Sequence, residues 1–175
     1  RPVYGLYCWE SEYLQNHGFI KDIGWKNFRL SGPITDEVMK QYILDGAEVM
    51  FTMPAREPFR EPGQENGRWR NRSNFESDEA FIADFVSDVE AVLKRYGPGG
   101  SFFKDNPGLP VRPLMYLEIF NEPNFWYLDV AREDLDRHFP PNDAAAREAQ
   151  NLSRQKLYAK LLPAAYRKVK EIAPS

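Results

Sequence analysis

Four short apolar runs, each followed by a stretch with helical spacing, constrain the fold of this chain more than any other feature. The runs are Val3–Trp9, Lys26–Ser31, Glu48–Met53 and Leu114–Asn121, and their composition is that of strands. Between the first two, Ser11–Phe19 predicts a short helix. Thr35 is placed to cap a second helix, with Asp36 and Glu37 in its first turn and Gly46 just past its end. Ser77 caps a third, in which Phe81, Phe85, Val89, Val92 and Tyr96 recur at helical spacing until Gly97 stops it. A last helix is expected from near Asn142, with Leu157, Leu161, Ala165 and Val169 on one face and a kink or split at Pro163. Repeated βα units with apolar strands predict an α/β fold, a parallel sheet covered by helices, within one domain over residues 1–175.

The connections are unequal. Ligand sites of α/β proteins lie at the carboxyl ends of the strands. Two long loops leave those ends, Pro54–Glu76 and Pro123–Pro141, and both are rich in groups that bind polar ligands. Gly97–Pro113, on the opposite face, reads as a structural turn region. A net charge of −3 gives no reason to expect nucleic acid or an anionic membrane surface as partner. No apolar run approaches the ~20 residues of a bilayer span. The first residues lack a signal-peptide layout, which leaves the compartment open, a secreted or periplasmic setting being slightly favoured over the cytoplasm. Cys8 reads as a small buried hydrophobe. His17 and His138 stand far apart in sequence and suggest no metal site, and no cofactor is expected. The sequons at Asn71 and Asn151 are too short a signal to decide a compartment.

Chemistry enters at the end of the fourth run. Tyr116–Phe125 reads YLEIFNEPNF: a buried strand begins, then gives way to an amide, a carboxylate and a proline. Pro123 has no N–H to donate and ends the ladder. Glu122 is aimed at the site face by the strand below it. Near Phe120 and Phe125 its carboxyl should have a raised pKa, suited to donating a proton close to neutral pH. Asn121 can hold a substrate hydroxyl.

Asn121-Glu122-Pro123, with Asn124 following, resembles the signature of the clan A glycoside hydrolases. It is most like glycoside hydrolase family 39 and its relatives, which carry Trp where this chain has Phe120. The resemblance implies the first four βα units of a (β/α)8 barrel and a carbohydrate substrate. It implies Glu122 as general acid/base and Asn121 as the amide that binds the 2-hydroxyl of the reacting sugar. Arg29, on the second strand, matches an Arg that orients the catalytic carboxylate in that clan; a salt bridge at the surface or bottom face is the equal alternative. Trp9 and Glu10 end the first strand and are candidates for the sugar subsite, with core packing as the alternative for Trp9. Trp126, beside Phe125 and Tyr127, suits a sugar platform. Trp69, among Arg56, Arg60, Arg68, Arg70 and Arg72, could stack on a sugar, although that loop also reads as a solvated, self-neutralising segment. The clan's His near the end of strand three has no counterpart in "FTMPARE".

A complete barrel has eight strands in about 250 residues. Retaining hydrolysis uses two carboxyls about 5 Å apart. The resemblance places the second, the nucleophile, on a seventh strand outside these residues. Glu118 is a poor substitute, because on an extended strand it lies ~13 Å below Glu122. The expectation is therefore part of a retaining β-glycosidase, inactive alone and completed by the other half of a barrel from the same gene or another chain. The alternatives are a non-catalytic half-barrel that binds carbohydrate or a partner protein, and an unrelated α/β domain that carries the motif by accident.

Overall fold

The computed structural model describes residues 6–53, 58, 71–121 and 143–174, apart from the side chains of Leu6 and Glu10. In chain order the elements are β1 (Leu6–Trp9), α1 (Glu10–Asp22), β2 (Asn27–Ser31), α2 (Asp36–Leu44), β3 (Glu48–Met53), a 3-10 turn (Arg72–Asn74), α3 (Asp78–Tyr96), α4 (Ser101–Asp105), β4 (Tyr116–Ile119) and α5 (Ala144–Ile172). The four strands form one parallel sheet in the order β1-β2-β3-β4. The α/β class and the parallel sheet are as the sequence predicts.

Strand alternation divides the sheet into two unlike faces. Cys8, Phe28, Leu30, Val49, Phe51 and Met53 are buried in one core with Val38, Met39, Tyr42 and Ile43 of α2, Phe81, Phe85 and Val89 of α3, and Leu157, Leu161 and Ala165 of α5. Burying each such large side chain contributes about 1.5–3 kcal/mol. The other face holds two rows in register. Tyr7, Arg29, Met50 and Tyr116 form the lower row, and Trp9, Ser31, Thr52 and Glu118 the upper. Large apolar side chains stand exposed there: Tyr7 is 44% exposed, Trp9 46%, Met50 36% and Tyr116 64%.

The helix starts follow the capping chemistry. Thr35 Oγ1 accepts from the Val38 N–H at 3.3 Å, and Ser77 Oγ accepts from the Ala80 N–H at 3.1 Å. The start of α5 falls beside the expected Asn142: Asp143 caps it, with Oδ1 2.9 Å from the Ala146 N–H.

Three expectations need correction. First, Pro163 does not split α5, which runs unbroken from Ala144 to Ile172. The proline is on the exposed side, where a carbonyl without its helical partner can turn to water, while Leu157, Leu161 and Ala165 hold both halves against the core. Second, Gly97–Pro113 is not only turns. It contains α4, whose Phe102 and Phe103 are buried. Gly100 opens that helix because a Cβ there would lie 2.4 Å from the Arg95 carbonyl oxygen. Third, β4 ends at Ile119 rather than Asn121.

Asp78, at the start of α3, ties three segments together. Its carboxylate accepts from Arg72 Nε at 2.7 Å and from Lys160 Nζ, on α5, at 2.8 Å. Those bonds hold its pKa below the ordinary 3.8. A carboxyl depressed by folding contributes stability above its unfolded pKa and loses it as pH falls through the folded one. Urea midpoints measured against pH are therefore expected to fall more steeply below pH 3.8 in the wild type than in Asp78→Asn, which lacks this carboxylate. Parallel curves for the two proteins would contradict the assignment.

Candidate functional site

The open face carries a continuous polar chain that links Thr52 and Glu118 of the upper row, Arg29 of the lower row and Asn121 past β4. Thr52 donates its hydroxyl to Glu118 Oε2 at 2.6 Å. Arg29 reaches the same oxygen through Nε at 2.7 Å and Nη2 at 2.6 Å. Nη2 also donates to Asn121 Oδ1 at 2.9 Å. The guanidinium carbon lies 5.3 Å from the centre of the Tyr7 ring, within cation–π range. Tyr7 of β1, Glu118 of β4 and Asn121, two residues past the end of β4, thus meet on Arg29 of β2.

Asn121 reaches that arginine because the chain turns sharply before it. Phe120 has φ 60°, the left-handed region. A non-glycine residue there costs about 1–2 kcal/mol. Its ring is buried and stacked on Phe85 of α3, with centroids 4.7 Å apart, and that burial offsets the cost. Tyr158 of α5 donates its hydroxyl to the Ile119 carbonyl at 3.0 Å, securing the last residue of the strand. Burial, and then the charge of Glu118, raise the Tyr158 pKa, which keeps this hydroxyl protonated as a donor.

Of the predicted site residues, Arg29 and Asn121 are brought together. Arg29 forms a part-exposed salt bridge with Glu118 on the open face, the surface alternative, and the same guanidinium also holds Asn121. Trp9 is not core. It is half-exposed on the rim, edge-on to Tyr7 at 6.1 Å. Glu10 begins α1, immediately after Trp9. Glu122, Trp126 and Trp69 lie outside the described residues. So do Phe125, Tyr127, His138 and all the loop arginines except Arg72, which is engaged with Asp78 and the Phe75 carbonyl.

Two local expectations change. Phe120 is a core residue and not a rim residue: its ring is buried against Phe85. The ~13 Å separation between Glu118 and Glu122 assumed an extended chain, and the chain leaves that conformation at Phe120. Glu118 shares Arg29 with Asn121.

Sequence reasoning passed over Thr52 and Gly32, and weighed Glu118 only as a substitute nucleophile, not as a partner of Arg29. The signal for Thr52 and Glu118 was alternation, since both share strand parity with the inward-facing residues once the register is known. Gly32 follows β2 with φ 103°, and a Cβ there would stand 3.1 Å from the Trp9 ring. Gly32→Ala is expected to cost about 1–2 kcal/mol, because the half-exposed indole can move aside but the backbone angle remains strained. Urea unfolding checks this, and a change of a few tenths of a kcal/mol or less would contradict it.

Elsewhere, Asn71 is buried, which removes that sequon as an acceptor in the folded chain, whereas Asn151 is exposed on α5. Cys8 is buried, and desolvation raises its thiol pKa, consistent with a core residue and not a nucleophile. His17 is beside Gln41, at 3.1 Å, and Asp45, at 3.6 Å, away from the strand ends. Among the described residues no helix is long and apolar enough to cross a membrane.

No family model matches this chain, and no curated protein or solved structure is significantly similar to it.

Proposed function

We propose that this chain is the acid/base-bearing half of a retaining β-glycoside hydrolase. In this reading β1 to β4 are the first four strands of a (β/α)8 barrel, and their open face is the barrel interior. Glu122 protonates the departing glycosidic oxygen. Asn121 binds the 2-hydroxyl of the sugar being cleaved. A second carboxylate from outside residues 1–175 attacks the anomeric carbon and forms the glycosyl-enzyme, which water then hydrolyses with Glu122 acting as base.

The observation that carries the reading is the bond from Arg29 to Asn121, which joins β2 to the first residue of the Asn121-Glu122-Pro123 motif at the carboxyl ends of the sheet. Among the described residues the helices cover one face of the sheet, which supports it further. An open doubly wound sheet has helices on both faces, whereas here Tyr7, Trp9, Met50 and Tyr116 stand exposed on the face opposite the described helices.

A non-catalytic half-barrel that binds carbohydrate is the second reading, favoured by the exposed aromatics Tyr7, Trp9 and Tyr116 on the same face. A panel of β-glycosides and exopolysaccharides separates the two. The full-length protein is expected to hydrolyse members of the panel, and residues 1–175 alone are not. Binding without hydrolysis by the full-length protein would favour the second reading. Comparable turnover by the isolated residues would contradict a nucleophile supplied from elsewhere.

A further inference from the structure

We propose that Thr52 and Glu118, acting through Arg29, and Phe120, acting through the backbone turn it holds, are positioning residues that fix the Asn121 carboxamide as a hydrogen-bond donor toward a ligand oxygen. The inference deepens the glycosidase reading and rests on it for the identity of that oxygen.

Alternation supplies the first half of the argument. Were β4 to continue extended, residue 120 would point to the open face with Glu118, and residue 121 to the helix face with Leu117 and Ile119. The left-handed turn at Phe120 reverses this. The phenyl ring enters the core against Phe85, and Asn121 meets Arg29 on the open face.

The second half is donor and acceptor inventory. A guanidinium has only donors. The Asn121 atom facing it is therefore the oxygen, whichever way the amide might otherwise be drawn. Its Nδ2, with two N–H donors, is left for another partner. Arg29 is itself held in place, because Nε and Nη2 are both spent on Glu118 and Glu118 is anchored by the Thr52 hydroxyl. Thr52, Glu118, Arg29 and Asn121 form a directional chain, each link specifying the next. A ligand hydroxyl at Asn121 then accepts from Nδ2 and keeps its own proton to donate elsewhere.

The test compares an aryl β-glycoside with its 2-deoxy counterpart on the full-length protein. Glu118→Gln and Thr52→Val are expected to lower kcat/KM for the hydroxylated substrate about tenfold, and for the 2-deoxy substrate about twofold or less. Thr52→Ser, which keeps the hydroxyl, is expected to match the wild type on both. Equal losses on both substrates, or Thr52→Ser behaving like Thr52→Val, would overturn the proposal.

Should the wild type hydrolyse neither substrate, the glycosidase reading fails and the chain of bonds is judged separately by NMR. The Arg29 Nε–H proton is expected to exchange with solvent about tenfold faster in Glu118→Gln, with a shift of the Asn121 carboxamide signals. Unchanged signals at both residues would overturn the positioning role.

Discussion

Glu122→Gln in the full-length protein is expected to slow hydrolysis of substrates with poor leaving groups by about 10²–10⁴-fold, the range general acid catalysis supplies. Such substrates need a proton on the departing oxygen, and glutamine has none to give. Activated aryl glycosides leave with little protonation, so their first step should be much less affected. The glycosyl-enzyme then accumulates, because no base remains to activate water. Azide needs no base and should restore turnover by attacking that intermediate. Steady-state rates across a leaving-group series, with and without azide, check this. Equal losses on every substrate with no rescue would remove Glu122 from the acid/base role. The prediction follows from sequence position: Glu122 comes directly after the amide that Arg29 holds at the strand ends.

Residues 1–175 on their own are expected to be poorly soluble, oligomeric, or stable only with a complementary piece. Both β1 and β4 are terminal strands of the described sheet, so each presents unpaired backbone groups along one side. The open face adds the large apolar surfaces of Tyr7, Trp9, Met50 and Tyr116. In the proposed closed barrel such side chains would fill the interior. Sedimentation and chemical unfolding of the isolated residues check this. A soluble monomer that unfolds cooperatively with no partner would show that the open face tolerates water.

Much of the fold is legible in the sequence because its signals are local. Ser77 and Thr35 cap the helices where their hydroxyls predict. The spacing of Phe81, Phe85, Val89, Val92 and Tyr96 matches the buried stripe of α3. The split that Pro163 signals does not occur because a local breaker signal carries no information about which side of the helix faces water. Phe102 and Phe103 are hidden in a stretch whose glycines and prolines dominate its reading. At the site, Arg29 and Asn121 are visible as candidates, but their bond joins residues far apart in the chain and depends on strand register. The turn at Phe120 is invisible for a different reason. A phenylalanine has no intrinsic preference for positive φ, and only its stacking on Phe85, a tertiary contact, holds it there.

The most direct measurement is the anomeric configuration of the first product released by the full-length protein, followed by NMR on a β-glycoside that it cleaves. A double displacement, with Glu122 as acid/base and a carboxylate nucleophile from outside these residues, releases the β-anomer first, with the α-anomer appearing only through mutarotation. Initial release of the α-anomer would mean a single displacement by water, and would contradict the retaining mechanism and the clan resemblance on which the role of Glu122 is built.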